Sequence, residues 1–398
     1  MPAMLRPGSG LILVTIALLL VGVVMITSAG LQVGGQTDLT IESILLGKTG
    51  LMAALAMAAL AIGSLFPIRS LERVTGALYL IVPALVVLLL LVHVPGIGHE
   101  KNGARRWVEL GPIGFQPSEL AKWGTLFVVA AYCVRNAPRM GEFLRGFVLP
   151  MSIVGLLCAL IATEDLGTAV LIGAVSTAML IAAGARVPHA IALTPVATAG
   201  VVLALLQNTY RLQRIKTFID PFADARGHGY HVIQSMAAVS GGGLTGRGLG
   251  NSVQKFGYLP EDTTDFIFAI ICEELGVAGA VFVAALYAAL LLIGLAIVRR
   301  TPSVFLRLIA LGVMLTIGLQ MLINVAVVTG AAPTKGIALP LISSGGTGWV
   351  VTCFCLGLLV GIDRTAADSA DGLSRRLAAE CAGDDMPLDD AGQALPVA

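Results

Sequence analysis

Residues 241–274 read Gly241-Gly-Gly-Leu-Thr-Gly-Arg-Gly-Leu-Gly250, Asn251-Ser-Val-Gln-Lys-Phe-Gly-Tyr-Leu-Pro260, Glu261-Asp-Thr-Thr-Asp265 and Phe266-Ile-Phe-Ala-Ile-Ile-Cys-Glu-Glu274. A glycine-rich polar stretch gives way, directly after Asp265, to an apolar run that continues to about residue 298. Such an abrupt change marks a polar loop entering a membrane. It puts Asp265 at the edge of the hydrocarbon, where desolvation lifts a carboxyl toward the pKa range of a general base. Glu273 follows eight residues on, roughly 12 Å along a helix axis at about 1.5 Å per residue. A charge at that depth costs about 3 kcal/mol on insertion scales, so Glu273 and Glu274 are expected to be paired or protonated and turned to the bundle interior.

The whole chain fits this reading. Of its 398 residues 57% are apolar and 12% charged, and apolar runs of spanning length recur from end to end, so the fold class is an all-α polytopic membrane protein. The net charge of +1 and low aromatic content argue against nucleic-acid binding. Cys133, Cys158, Cys272, Cys353 and Cys355 lie in apolar runs without metal-ligand spacing and read as small packing residues. Ten helices are predicted, at roughly 11–29, 46–66, 76–94, 118–134, 146–163, 166–184, 187–206, 265–298, 304–330 and 340–361. Residues 1–363 form the membrane domain, a long outer loop covers about 207–264, and the acidic tail 364–398 is expected to be disordered. Arginines in the short loops (Arg69, Arg73, Arg135, Arg139, Arg145, Arg186, Arg299, Arg300, Arg307, Arg364) alternate consistently, which places both termini in the cytoplasm.

A second set of cations then falls outside: Lys101, Arg105 and Arg106; Arg211, Arg214, Lys216, Arg226, Arg247 and Lys255; and Lys335. Long loops tolerate such charge. It reads either as a solvated surface or as an electropositive cleft for an anion at the membrane face. Arginine's planar donor fork suits phosphate, and Trp107 suits an interfacial anchor. Pro117 fits the first position of a helix, with Ser118, Glu119 and Lys122 in its opening turns, as a capped helix with a surface ion pair or as part of a site. Asp165 fits a helix cap equally well as a functional carboxylate. Tyr210–Ile215 reads as a helix that puts Arg211 and Arg214 on one face and ends near Asp220-Pro221. His228 and His231 read as loop residues. The glycine run, with Gly243, Gly248 and Gly250, lacks the preceding strand and Lys-Ser/Thr ending of a nucleotide loop; it fits a loop hugging a lipid diphosphate or another backbone. Glu261 and Asp262 suit a helix N-terminus. Lys335 and Ser343 border the last helix.

Several motifs together resemble the SEDS family of polytopic peptidoglycan polymerases, the group of FtsW, RodA and SpoVE. They are Asn102-Gly-Ala-Arg-Arg-Trp107, Gln116-Pro-Ser-Glu119, Gly250-Asn-Ser-Val-Gln-Lys255 with Tyr258-Leu-Pro-Glu261, Thr264-Asp-Phe-Ile-Phe-Ala269, and Glu273-Glu-Leu-Gly276. Pro333-Thr-Lys-Gly336 and Leu339-Pro-Leu-Ile-Ser343 are similar to the FtsW/SpoVE branch more than to RodA. The resemblance implies glycosyl transfer on lipid II at the outer face of the cytoplasmic membrane, for septal wall synthesis in cell division. Asp265 would be the general base. Arg105, Arg106, Arg211, Arg214, Lys255 and Lys335 would hold diphosphates, with Trp107, Ser118, Glu119, Lys122, Glu261 and Ser343 around the substrate and Gly243, Gly248, Gly250, Glu273 and Glu274 supporting the loop. Implied partners are the nascent glycan strand, a class B penicillin-binding protein and other division membrane proteins. A divalent cation, Mg or Mn, would bridge Asp265 and a diphosphate if one is used. Thr263, Glu164 and Ser344 depart from the family's usual His, Pro and Tyr. A lipid II flippase, a non-catalytic division scaffold and a RodA-like elongation role are the competing readings.

Overall fold

The computed structural model describes residues 6–30, 47–73, 75–101, 104–110, 113–227 and 229–383. His228, Asn102-Gly103 and 384–398 lie outside these. Every predicted apolar run coincides with a helical element: α1 Pro7–Ala29, α2 Lys48–Leu65, a short α3 Ile68–Arg73, α4 Ile81–Leu90 extended by a 3-10 turn at each end, α5 Pro117–Arg135, α6 Leu149–Ala162, α7 Leu166–Ala182, α8 Val187–Leu206, α11 Ile267–Arg300, α12 Val304–Val328 and α13 Thr347–Gly383. Seven are long and apolar enough to cross a membrane by length and composition, with Ala77–His93 and Leu166–Ala182 as shorter apolar helices. Pro117–Arg135, which carries Glu119, Lys122 and Arg135, falls outside both groups. The five cysteines expected to be packing residues carry free thiols, and four of them are buried.

The local signals act where expected. Pro117 opens α5, Asp165 caps α7 by accepting from the Thr168 amide, and α9 Thr209–Ile219 ends at Asp220. Other segments depart from expectation. Residues 98–115 form an antiparallel sheet of β1 Gly98–Lys101, β2 Ala104–Leu110 and β3 Ile113–Phe115, where only a loop was expected. The connection after α8 contains, besides the expected α9, a second helix that was not expected, α10 Tyr230–Gly241. The last helix starts at Thr347 rather than 340, because Leu341 and Gly346 adopt positive φ of 67° and 44° and break the helical path. It also runs across the expected domain edge at 363 to Gly383. That stretch is rich in alanine, which favours helix even without an apolar face.

The glycine-rich stretch explains a break in α11. Gly276 sits at φ 65°, ψ −162°, so the helix is interrupted just after the two glutamates. Interruption orphans backbone groups that lipid cannot satisfy. The loop supplies them: Arg247 and Gly248 amides donate to the Glu273 and Glu274 carbonyls (3.0 and 2.9 Å), and Val277 and Ala278 amides donate to Gly243 and Leu244 carbonyls (3.0 and 3.2 Å). A Cβ on Gly276 would lie 2.4 Å from the Gly246 nitrogen. Of the two uses considered for this loop, it makes the backbone contact.

Both glutamates are buried and paired. Glu273 accepts from Ser252 Oγ and lies 3.0 Å from Arg247. Glu274 accepts from Ser28 Oγ (2.6 Å) and from Lys255 Nζ (3.1 Å), which also donates to the Ser28 and Gly250 carbonyls. Lys255 is thereby removed from the cations available to a diphosphate: its side chain is 0% exposed. It ties the loop to the end of α1 and to α11.

Candidate active site

Asp265 precedes α11 in a turn held from three sides. Its carbonyl accepts from Asn324 Nδ2 (2.8 Å), the Thr264 carbonyl accepts from Ser343 Oγ, and the Thr263 carbonyl accepts from the Ser344 amide (2.9 Å). Asn324 Nδ2 also donates to the Ile337 carbonyl (2.7 Å), so one buried side chain on α12 joins the Asp265 turn to the Lys335–Leu339 loop. The Asp265 carboxylate packs against Gly336, where a Cβ would stand 2.5 Å from Oδ2. Burial, helped by the nearby Glu261 charge, pushes the Asp265 carboxyl up to about 6, against the pull of Arg106 and Arg214. Glu261 itself accepts from Thr264 Oγ1 (2.6 Å) and has a φ of 58°, outside the usual range of a non-glycine residue. Asp262 is likewise raised to about 6, chiefly by burial.

Opposite lies a second charge group. Lys335 Nζ stands 3.3 Å from Asp165 Oδ1, an ionic contact without hydrogen-bond alignment. Burial alone would raise the Asp165 carboxyl, but Lys335, Arg106 and the Thr168 hydrogen bonds outweigh it and hold it low. Burial works in the opposite sense on Lys335: it lowers the ammonium pKa against the attraction of Asp165. Lys335 lies directly over Gly167, where a Cβ would fall 1.7 Å from Nζ, so a larger residue there would displace the lysine end. Arg106 Nε is buried with no hydrogen-bond partner, and its charge acts on Asp165, Asp265 and Lys335 alike. Arg214 donates to the Thr334 carbonyl (3.3 Å) and stacks over Tyr210 at 4.6 Å. The structure thus gathers Asp265, Asp165, Lys335, Arg106 and Arg214 around one polar edge, with donor capacity left on Arg106 and Lys335.

The other predicted residues divide by contact. Arg105 and Arg106 are neighbours on β2 where its register with β1 shifts, a bulge that leaves Arg106 without a cross-strand partner. Arg105 pairs with Glu100 across the sheet (3.6 Å) and is half-exposed, and Trp107 stands opposite His99. Arg211 donates to the Ala204, Ala162 and Thr163 carbonyls (3.0, 2.8 and 2.6 Å), and so caps the ends of α6 and α8. Lys122 is 2% exposed, bonded to Glu119 (2.7 Å) and Gln320 (3.0 Å). The expected surface ion pair is therefore an interior one. Ser118 accepts from Gln116 Nε2 (2.9 Å). Ser343 is buried, accepting from the Leu339 amide while it donates to Thr264. Gly243, Gly248 and Gly250 all have positive φ in the loop on α11. His231 stacks on Phe266.

Asn324 and Gln320 had not been singled out. Gln320 Nε2 donates to the Ala338 carbonyl (2.9 Å), one turn from Asn324 on the same face of α12. Two amides four residues apart inside an apolar run were the available signal. Metal ligation has little support from the side chains. Asp165 is engaged by Lys335 and Thr168, and Glu261 by Thr264. Among the described residues no three His, Cys, Asp or Glu side chains converge. These residues do not fit a resident divalent cation, and no step is derived through one.

A carboxylate raised to about 6 at the head of a membrane-length helix, near the half-buried cations Arg106, Arg214 and Lys335, has the groups that base chemistry on an anionic substrate requires. Residues 9–368 match the family model described as "Cell cycle protein", that of FtsW, RodA and SpoVE. The chain is 38% identical over 364 residues (88% of this chain, 95% of the relative) to "Probable peptidoglycan glycosyltransferase FtsW" of Coxiella burnetii. It is 34% identical over 362 residues (90% and 97%) to "Stage V sporulation protein E" of Bacillus subtilis. Among solved structures, a chain reported under "Structural coordination of polymerization and crosslinking by a peptidoglycan synthase complex" aligns with TM-score 0.70 at 26% identity, covering 90% of this chain and 97% of that one. RodA of Thermus thermophilus aligns with TM-score 0.59 at 25% identity, covering 89% and 96%. The chain belongs to the FtsW/RodA/SpoVE family.

Proposed function

We propose that this chain is a peptidoglycan glycosyltransferase that polymerises lipid II at the outer face of the cytoplasmic membrane, in the service of septal wall synthesis. The observation that carries this reading is the placement of Asp265, raised to about 6 chiefly by burial, against Gly336 and within electrostatic reach of Arg106 and Arg214. Asp265 takes the proton of the acceptor's sugar 4-hydroxyl as that oxygen attacks the donor's anomeric carbon from the face opposite the diphosphate. The C–O bond to the diphosphate breaks, configuration inverts, and undecaprenyl diphosphate leaves with the bonding pair. Arg106 and Lys335, with unused donors, stabilise the charge that grows on the leaving group. Asp165 holds Lys335 in position. The ten helical runs act as ten spans, both termini are cytoplasmic, and residues 207–264 lie outside. The solved neighbour described as a peptidoglycan synthase complex that coordinates polymerization and crosslinking supports a crosslinking partner, which we take to be a class B penicillin-binding protein. The flippase reading is less favoured, because the unused cationic donors cluster around Asp265 at one edge.

The test is polymerisation of labelled lipid II by the purified chain with its partner, followed against pH. A base must be ionised, so kcat/KM is expected to fall about tenfold per pH unit below an apparent pKa of about 6 and to level off above it. Glu261 raises that value, so Glu261→Gln is expected to move the limb to lower pH; an unmoved limb would separate it from Asp265. The different surroundings of the two β2 arginines make a second forecast. Arg106→Ala is expected to lower the polymerisation rate on the order of 10²-fold, as for loss of one charge-stabilising donor. Arg105→Ala is expected to change it by less than about threefold, as for an exposed pair. Equal losses would show that both arginines face the substrate.

A further inference from the structure

At the opposite end of the bundle from Asp265, three junctions meet around a cavity of about 460 Å³. Its wall includes Arg69, Glu72 and Arg73 of α3, Ser303 at the start of α12, and Thr365 in α13. Each contributing segment borders an apolar span: α3 follows Lys48–Leu65, Thr301–Ser303 joins Ile267–Arg300 to Val304–Val328, and Thr365 lies near the end of Thr347–Asp368. The cavity therefore opens at the depth where a membrane's headgroups lie. Its size is that of a small-ligand site.

The charges around it are specific in kind. Arg69 and Arg73 are four apart on one helix, so they present two guanidinium groups to one side; both are exposed. Arg299, Arg300, Arg307 and Arg364, all exposed, lie on the adjoining segments. The wall also holds one carboxylate, Glu72, fixed by the Ser303 hydroxyl that donates to it. Paired arginines bind a phosphate through charge-assisted hydrogen bonds. A carboxylate in the same wall repels a bare phosphate, yet accepts from a hydroxyl or ammonium carried a few bonds away. One molecule satisfies both demands at this depth: a glycerophospholipid whose headgroup carries a donor beside its phosphodiester.

We propose that this cavity is a binding site for the headgroup of an ethanolamine or glycerol phospholipid of the inner leaflet, with Arg69 and Arg73 on the phosphate and Glu72 on the terminal donor. It rests on the inside-facing orientation of these loops and not on the polymerase reading. The headgroup joins the ends of four spans.

The experiment titrates the full-length purified protein in detergent with dihexanoyl phosphatidylethanolamine, dihexanoyl phosphatidylglycerol, dihexanoyl phosphatidylcholine and inorganic phosphate, reading occupancy by native mass spectrometry. Saturable binding of the first two is expected, with phosphatidylcholine and phosphate weaker. R69A/R73A is expected to weaken the two lipids on the order of tenfold, while R139A/R145A, which removes arginines elsewhere on the same face, leaves them unchanged. Glu72→Gln is expected to narrow the gap between phosphatidylethanolamine and phosphatidylcholine. Because Arg69 and Arg73 are exposed, the double variant is expected to melt like wild type; if it does not, Glu72→Gln decides by that gap alone. Equal binding by wild type and R69A/R73A overturns the site, equal loss in R139A/R145A reduces it to diffuse surface charge, and inorganic phosphate binding as tightly as the lipids overturns the lipid assignment.

Discussion

Lys255→Met is expected to destabilise the protein by about 3–5 kcal/mol, the cost of leaving a buried charge without its partner. Lys255 and Glu274 are both fully buried, 3.1 Å apart, and Lys255 also donates to the Ser28 and Gly250 carbonyls. Removing the ammonium strands Glu274 with Ser28 Oγ and the Ser252 amide as its remaining donors. Glu274→Gln added to Lys255→Met is expected to restore much of the loss, because the amide oxygen still accepts from the Ser252 amide, its NH2 donates to Ser28 Oγ in place of the present contact, and no charge is left buried. Thermal melting of the three proteins in micelles measures this. The alternative, that Lys255 grips a substrate diphosphate, predicts the reverse pattern: normal melting, lost turnover and no rescue.

Asp265→Asn should lower polymerisation by about 10²–10⁴-fold, the usual range for loss of a general base, with lipid II binding little changed. The amide keeps the shape beside Gly336 and leaves the Asn324 hydrogen bond to the backbone intact. Asp265→Glu is expected to lose most of the rate as well, because an added methylene shifts the carboxylate from its place beside Gly336. Rates measured at saturating lipid II separate lost chemistry from lost binding. A variant within about threefold of wild type would remove Asp265 from the reaction.

The membrane architecture was legible because hydrocarbon requires long apolar runs and helical backbone together, and each run did become a helix. Asp265 was legible for a related reason, since the polarity changes immediately after it. Its neighbours were harder. Arg105 and Arg106 look equivalent in a loop and separate only once β2 pairs Arg105 with Glu100 and brings the Arg106 charge to Asp165 and Asp265. Lys255 looked like one of several outer cations, yet the cost of burying Glu274 already called for a partner or a proton, and Lys255 is that partner. Arg211 shows the same ambiguity: a guanidinium suited to phosphate is equally suited to helix-end carbonyls. Asp165 had been read as a cap or a functional carboxylate, and its cap to Thr168 and its contact with Lys335 occur together. The break at Gly276 could not be read from Glu-Glu-Leu-Gly, because it depends on a loop some thirty residues earlier, from Gly243 to Gly248, returning to replace lost helical hydrogen bonds.

The central claim is that this chain itself joins lipid II units. The most direct measurement supplies labelled lipid II to the purified chain with a class B penicillin-binding protein whose transpeptidase is blocked by a β-lactam, and resolves the products by length. Long uncrosslinked glycan strands, absent when Asp265→Asn replaces the wild type, are the predicted result. Lipid II that binds yet stays monomeric with wild type, or strands of equal length and yield from both proteins, would contradict it.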